Sequence, residues 1–287
     1  MEKVRLGLVS CYFNPCGYEA LKDNFEEFLN DLGEHKERLV VANLTLDGDK
    51  EVKFDCPNQI MLYGKRPNNF LWQKEALLNV AIEQLPKEFN AVAWVDGDIW
   101  FQKKSWVEKS ETLLKENQVI QLFSTCVHLN RESNIDFARE GIVSNFRSGS
   151  AWGMAWAAKR DIIEEDGLLD WIINGSGDVW MAAAWMNVRK SPQGRSPGML
   201  RYYNKWRKRQ REKVNKVGFL DEVIYHLFHG EMQNRNYGYR NRLMVKYSFD
   251  PETDLVKEEN GIYAWRNPKD GLPQNLISWF YSRKEDE

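Results

Sequence analysis

Cysteine is sparse in this chain of 287 residues: Cys11, Cys16, Cys56 and Cys126 are all there are, and none stands in a CxxC spacing. That spacing argues against a disulfide framework and a cysteine-based zinc module, and reduced thiols in a cytoplasmic setting are expected. Long apolar runs are missing as well. Leu6 to Val9 is a short one that ends at Ser10, and nothing approaches the roughly 18 residues of a membrane span or the core of a secretory leader. Secretion and membrane insertion are therefore not expected. Internal repeats and low-complexity tracts are absent too, which excludes a repeat array.

What is present is a globular composition, 43% hydrophobic and 29% charged, long enough for a sizeable core. Its 12 tryptophans are many for this length and are expected to line a core or a pocket. The net charge of −2 conceals an asymmetry, because Arg189 to Lys216 holds eleven Lys or Arg against one Glu, a local +10. Such a run suits a polyanionic partner or a solvated face.

Along the first two thirds, strand and helix patterns alternate. Val4 to Tyr12 reads as a buried strand, and Tyr18 to Leu32 as a helix stopped by Gly33. Strands at Arg38 to Thr45 and Ile60 to Tyr63 precede a helix over Leu71 to Leu85. Asn90 to Val95 is a further strand, Ser105 to Glu108 a capping box opening a helix, and Gln118 to Phe123 another strand. Over Ser150 to Ala158, Trp152, Met154 and Trp156 alternate with small residues, as on a strand with one bulky face. Gly175 to Asp178 opens a helix to about Asn187, and Ser191 to Gly198 reads as a flexible break. The expected fold is α/β: a mostly parallel, Rossmann-like mixed sheet flanked by helices over residues 1–190, then a helical and irregular segment over 191–287.

Asp96 and Asp98, at the end of a buried strand with Gly97 between them, can converge on one divalent cation that neutralises a diphosphate; an ordinary Asp-Gly turn is the plain alternative. His226 and His229 are candidate further ligands, the pattern admitting only one of them inward, and Gly230 favours His229. Asp178 suits a general base or a helix N-cap. Lys65, Arg66 and Lys74 are candidate phosphate partners. In Arg201 to Lys216, Tyr203, Trp206, Val214 and Val217 form a stripe opposite basic residues, which fits an amphipathic surface helix or a nucleic-acid contact.

These residues lie in motifs that together resemble a family of GT-A glycosyltransferases of bacteria and tailed phages. The similar segments are CYFNP from Cys11, LWQKEALLN from Leu71, AWVDGDIWF from Ala93, VIQLFS from Val119, GSAWGMAWAAKR from Gly149, GSGD from Gly175, HLFHG from His226 and YSRKED from Tyr281. The resemblance implies a GT-A fold in which Asp98 coordinates Mn²⁺ or Mg²⁺, Asp96 meets the metal or the ribose, and Ser10, Tyr12 and Phe13 hold the nucleoside. It implies that Asp178 is the acceptor-side base of an inverting transfer, that UDP is the default carrier, and that Gly97 in place of a common Ala changes little. Some phage members act on hydroxymethylated pyrimidines of DNA, an acceptor that Arg201 to Lys216 would suit, with Trp206 assisting a flipped base.

The expectation is thus a metal-dependent glycosyltransferase taking a nucleotide sugar, with DNA as the first acceptor considered and a saccharide or protein as the alternative. A two-metal phosphohydrolase would need more carboxylates near Asp96. A nucleic-acid-binding protein with a degenerate core would leave Asp96, Asp98 and Asp178 without work.

Overall fold

The computed structural model describes residues 3–188 and 194–287. Its strands are β1 (Leu6–Phe13), β2 (Leu39–Leu46), β3 (Gln59–Gly64), β4 (Ala91–Val95), β5 (Ile99–Phe101), β6 (Val119–Gln121), β7 (Thr125–Leu129), β8 (Ile135–Glu140), β9 (Ala155–Lys159), β10 (Val217–Phe219), β11 (Val223–His226), β12 (Leu255–Lys257) and β13 (Tyr263–Trp265). Seven of them form the main sheet in the order β10-β6-β9-β4-β1-β2-β3. All neighbours are parallel except β9, which runs against both β4 and β6. The mostly parallel mixed sheet is the expected one.

Both faces of that sheet are covered, which is why its central strands are apolar at nearly every position. On β4 the residues alternate between two cores: Val92 and Trp94 enter one, Ala91, Ala93 and Val95 the other. The Trp side packs on helix Gly177–Trp185, where the ring of Trp185 lies 5.8 Å from Trp94, 5.7 Å from Trp156 and 6.0 Å from Trp206. The tryptophans therefore hold a helix layer to the sheet. On the opposite face Phe25, Phe28 and Leu32 of helix Glu19–Leu32 cover the alanines.

A four-stranded sheet, β5-β11-β7-β8, abuts the end of the main one. The expected boundary at residues 190–191 lies outside the described residues. On either side of it the chain feeds the same sheets, since β10 pairs with β6 and β11 sits between β5 and β7.

Several local expectations change. Strand β9 begins only at Ala155, because Met154 has φ +74° and breaks the extended run, so Trp152 and Met154 do not share a strand face with Trp156. Ser105 occupies the N-cap of helix Trp106–Leu113 but makes no side-chain capping bond. The cap of helix Gly177–Trp185 is Ser176, and Asp178 lies inside the first turn. The basic helix spans Pro197–Lys213, so Val214 is its C-cap residue and Val217 belongs to β10.

Candidate active site

The Asp-Gly-Asp turn leaves the carboxyl end of β4, where a parallel sheet presents its ligands. The Asp96 N–H donates to the Met154 carbonyl at 2.8 Å, and the Asp98 carbonyl accepts from Leu227 N–H at 2.8 Å. Pairing of β5 with β11 sets His226 opposite Ile99, one residue beyond Asp98. A Cβ on Gly97 would stand 2.1 Å from the ring of Phe25, which packs in the core, so an alanine here requires that ring to shift, against the expectation that it changes little.

Both histidines reach Asp98, correcting the expectation of one. His229 Nε2 stands 2.9 Å and His226 Nε2 3.8 Å from Asp98 Oδ2. The periodicity reading treated His226 and His229 as one regular element. In fact β11 ends at His226, and the chain then turns toward Gly230 at φ +81°, which brings the second imidazole round to the same carboxylate. No side chain fits at Gly230, because the backbone of Lys284 and Glu285 passes within 3 Å of its would-be Cβ. That contact delivers Glu285, whose Oε1 lies 3.3 Å from His229 Nδ1. The C-terminal segment is in turn fastened to the first helix, where Asp286 accepts from the N–H groups of Glu19 and Ala20.

Asp98, His226 and His229 form a group able to hold a metal ion, their ligand atoms lying within 4.8 Å of one another. Among the described residues Asp98 Oδ1 is buried with no hydrogen-bond partner, an oxygen that a cation would satisfy. Burial opposes the charge on Asp98, but His226, the hydrogen bond from His229 and Arg235 hold its carboxyl well below the usual range. Burial pushes His226 far down, leaving a neutral ligand. Burial and Arg235 also work against a proton on His229, yet the bonds to Asp98 and Glu285 leave its pKa raised. A cation would take the place of that proton, with Glu285 fixing Nδ1–H as an outer-shell partner.

Asp96 faces the other way. Its Oδ1 lies 2.6 Å from Lys74 Nζ, which also lies 2.9 Å from Asp178 Oδ2. Lys74 opens helix Lys74–Gln84, so one ammonium ties the turn after β4 to the helix that begins Gly177-Asp178. Burial, against the pull of Lys74, raises the Asp96 carboxyl to about 7. Burial likewise raises neighbouring Glu75 to about 8. Asp96 is not among the three clustered ligands, although it was expected to join them, because the turn directs it to Lys74.

Two cavities meet at this centre, and Trp72, Lys74, Asp96, Asp98, His229 and Arg283 line both. The first lies between β1 and the C-terminal segment and is walled by Tyr12, Phe13 and Phe280. The second is bordered by Trp152, Asp178 and three arginines besides Arg283: Arg139, Arg235 and Arg240. Tyr12, Phe13 and Lys74 line the first cavity. Ser10 does not: it is fully buried and its hydroxyl donates to the Val95 carbonyl at 2.8 Å, bracing β1 to β4. Arg66 binds Asp49 and the Pro15 carbonyl and lines neither cavity. Sequence reasoning missed Arg235, Arg240, Arg283 and Glu285 as site residues; the YSRKED segment carried two of them unread.

The basic helix contributes no residue to either cavity. Arg201 pairs with Asp250, Arg209 with Asp166, and Lys213 with Glu165. Trp206 is 4% exposed and donates to the Gly167 carbonyl, so it is a core residue with no face for a base.

No protein-family model and no curated protein matches the sequence. Among solved structures, the chain is similar to a mannosyltransferase from Pyrobaculum calidifontis in complex with GDP-Man and Mn²⁺, at 12% identity and TM-score 0.44, over 84% of this chain and 63% of that one. It is also similar to a putative nucleotide-diphospho-sugar transferase from Desulfovibrio desulfuricans, at 10% identity and TM-score 0.37, over 79% and 83%. A third is a glycosyltransferase involved in glycosylation of the major capsid of PBCV-1, at 8% identity and TM-score 0.36, over 83% and 98%. The architecture itself is a mostly parallel mixed sheet flanked by helices.

Proposed function

We propose that the protein is a metal-dependent glycosyltransferase that takes a sugar from a nucleoside diphosphate and passes it to an acceptor hydroxyl. The observation that carries this reading is the junction of two cavities at the Asp98, His226 and His229 cluster. One cavity then serves the donor and the other the acceptor. The solved structures of similar fold include one with a nucleotide sugar and Mn²⁺.

The first cavity, with Tyr12 and Phe13 at the end of β1, suits a nucleoside, for which uridine is our choice. The mixed carboxylate and imidazole set suits Mn²⁺ somewhat better than Mg²⁺. When bound, the metal would supply positive charge to the departing diphosphate. Arg283 and Lys74 border the same junction and add to that field. Asp178 lines only the second cavity, where its carboxylate is positioned to accept the proton of an attacking hydroxyl in a single inverting displacement. Lys74, 2.9 Å away, fixes the orientation of that carboxylate and links it to Asp96.

For the acceptor we favour a small hydroxylated molecule or a saccharide end that enters the second cavity. A hydroxymethylated DNA base was suggested by the resemblance together with the basic run, whose helix Pro197–Lys213 lines neither cavity and has Trp206 in the core. The test is a turnover screen of nucleotide sugars with Mn²⁺, using saccharide and hydroxymethylated DNA acceptors side by side. Diphosphate release with a saccharide alone supports the reading; release with DNA alone replaces its acceptor, and none with any donor and metal overturns it.

A further inference from the structure

The second cavity holds more positive charge than its carboxylates answer. Five cations line it: Lys74, Arg139, Arg235, Arg240 and Arg283. Lys74 is shared between Asp96 and Asp178, and Arg283 Nε binds Glu285 at 2.7 Å. Arg235 rests on His229 Nε2 at 2.8 Å and near the Tyr237 hydroxyl at 3.5 Å.

Arg240 is different. It is 7% exposed, yet among the described residues its guanidinium makes no hydrogen bond and no ion pair, and its Nε is buried without a partner. Two rings hold it in place, Tyr237 at 4.5 Å and Trp279 at 5.6 Å from the guanidinium carbon. Room for it comes from the Gly-Ser-Gly turn. A Cβ on Gly175, whose φ is +72°, would stand 2.9 Å from Arg240 Nη1 and equally close to Trp72. The carboxyl that influences it electrostatically, Glu75, is raised by burial to about 8 and so carries little charge at neutral pH. Burial, with the like charges of Arg283 and Arg235, depresses Arg240 itself to about 10 against the pull of Tyr237. A desolvated guanidinium stacked between aromatic rings and open to a cavity is costly unless an anion arrives to meet it. Its fork suits a phosphate or a carboxylate.

We infer that the acceptor carries an anionic group, a phosphate or a carboxylate, and that Arg240 binds it. This rests on the assignment of the second cavity to the acceptor. It adds a substrate class: phosphorylated sugars or sugar acids rather than neutral saccharides.

The test is calorimetric titration of the full chain, saturated with UDP and Mn²⁺, with glucose, glucose 6-phosphate and glucuronate as probes. UDP and Mn²⁺ are titrated first, so failure of the donor reading shows there and is separate from failure of this one. We expect at least one charged probe to bind ten or more times tighter than glucose, with an advantage that shrinks as salt is raised. In Arg240→Gln that advantage should disappear; in Arg240→Lys, which keeps charge but not the fork, part should remain. The stronger of the two charged probes tells phosphate from carboxylate. Equal binding of charged and neutral probes, no binding of either charged probe, or an advantage that survives Arg240→Gln overturns the inference. The wild-type comparison stands even where a variant fails to fold.

Discussion

Lys74 Nζ lies 2.6 Å from Asp96 Oδ1, and this contact divides the labour of the Asp-Gly-Asp turn. Asp96 is held by a lysine that also grips Asp178, whereas Asp98 is left to two histidines and an unfilled lone pair. Removing the ammonium would leave two carboxylates facing each other in a buried site. We expect Lys74→Met to abolish turnover while leaving Mn²⁺ binding measurable, since none of the three clustered ligands touches Lys74. Paired Mn²⁺ titrations and turnover assays check this; loss of Mn²⁺ affinity equal to that of Asp98→Asn would contradict it.

Glu285 stands behind His229 and orients it. Outer-shell partners of this kind affect metal affinity by about 10–100-fold. Glu285→Gln should weaken Mn²⁺ binding within that range, read by the paramagnetic resonance of free Mn²⁺. Unchanged affinity would mean that the imidazole is positioned by the backbone turn alone.

Asp178→Asn should lower kcat by about 10²–10⁴-fold, the usual contribution of a positioned base, with Mn²⁺-dependent nucleotide affinity little changed. A matching loss in nucleotide affinity would assign Asp178 to the donor side instead.

Gly97→Ala should destabilise the protein by about 1–3 kcal/mol, because the added methyl overlaps the Phe25 ring in a packed core. Chemical denaturation measures it. A neutral result would show that Phe25 can move aside.

The pH dependence of stability should carry the mark of Glu75. Its folded pKa is about 8, above the 4.5 of an ordinary glutamate, and burial is the main cause. The folded state therefore holds a proton that the unfolded state has lost between those values. Stability from this group is complete below pH 4.5 and is lost as pH rises through 8. The melting advantage of Glu75→Gln over the parent should grow from pH 6 to about pH 8 and then level off, by roughly 2–4 °C for each kcal/mol relieved. A difference independent of pH would show that Glu75 is ionised throughout.

Much of the fold was legible because the central strands are buried on both faces and so read as apolar runs with helical segments between them. The edge where β4 ends was legible for the same reason, and with it the position of Asp96 and Asp98, whereas Tyr12 and Phe13 came from the family resemblance. What the sequence hid depends on long-range closure. Glu285 and Asp286 matter only because the C-terminal segment returns to Gly230 and to the first helix, and no local pattern announces that return. His226 was set aside by a periodicity rule that holds within one element, whereas β11 stops at that residue. Ser10 was expected at the nucleoside only through the family resemblance; here the neighbouring Val95 carbonyl takes its hydroxyl. The basic run suggested a polyanion because charge composition does not reveal partners, and Asp166, Asp250 and Glu165 answer three of its cations.

The most direct measurement is calorimetric titration of UDP and UDP-sugars into the full chain with and without Mn²⁺, repeated with Asp98→Ala. The account expects binding that requires the metal and that vanishes in the variant. Binding that is equal with and without Mn²⁺, or that survives loss of Asp98, would contradict a metal-held diphosphate at this site.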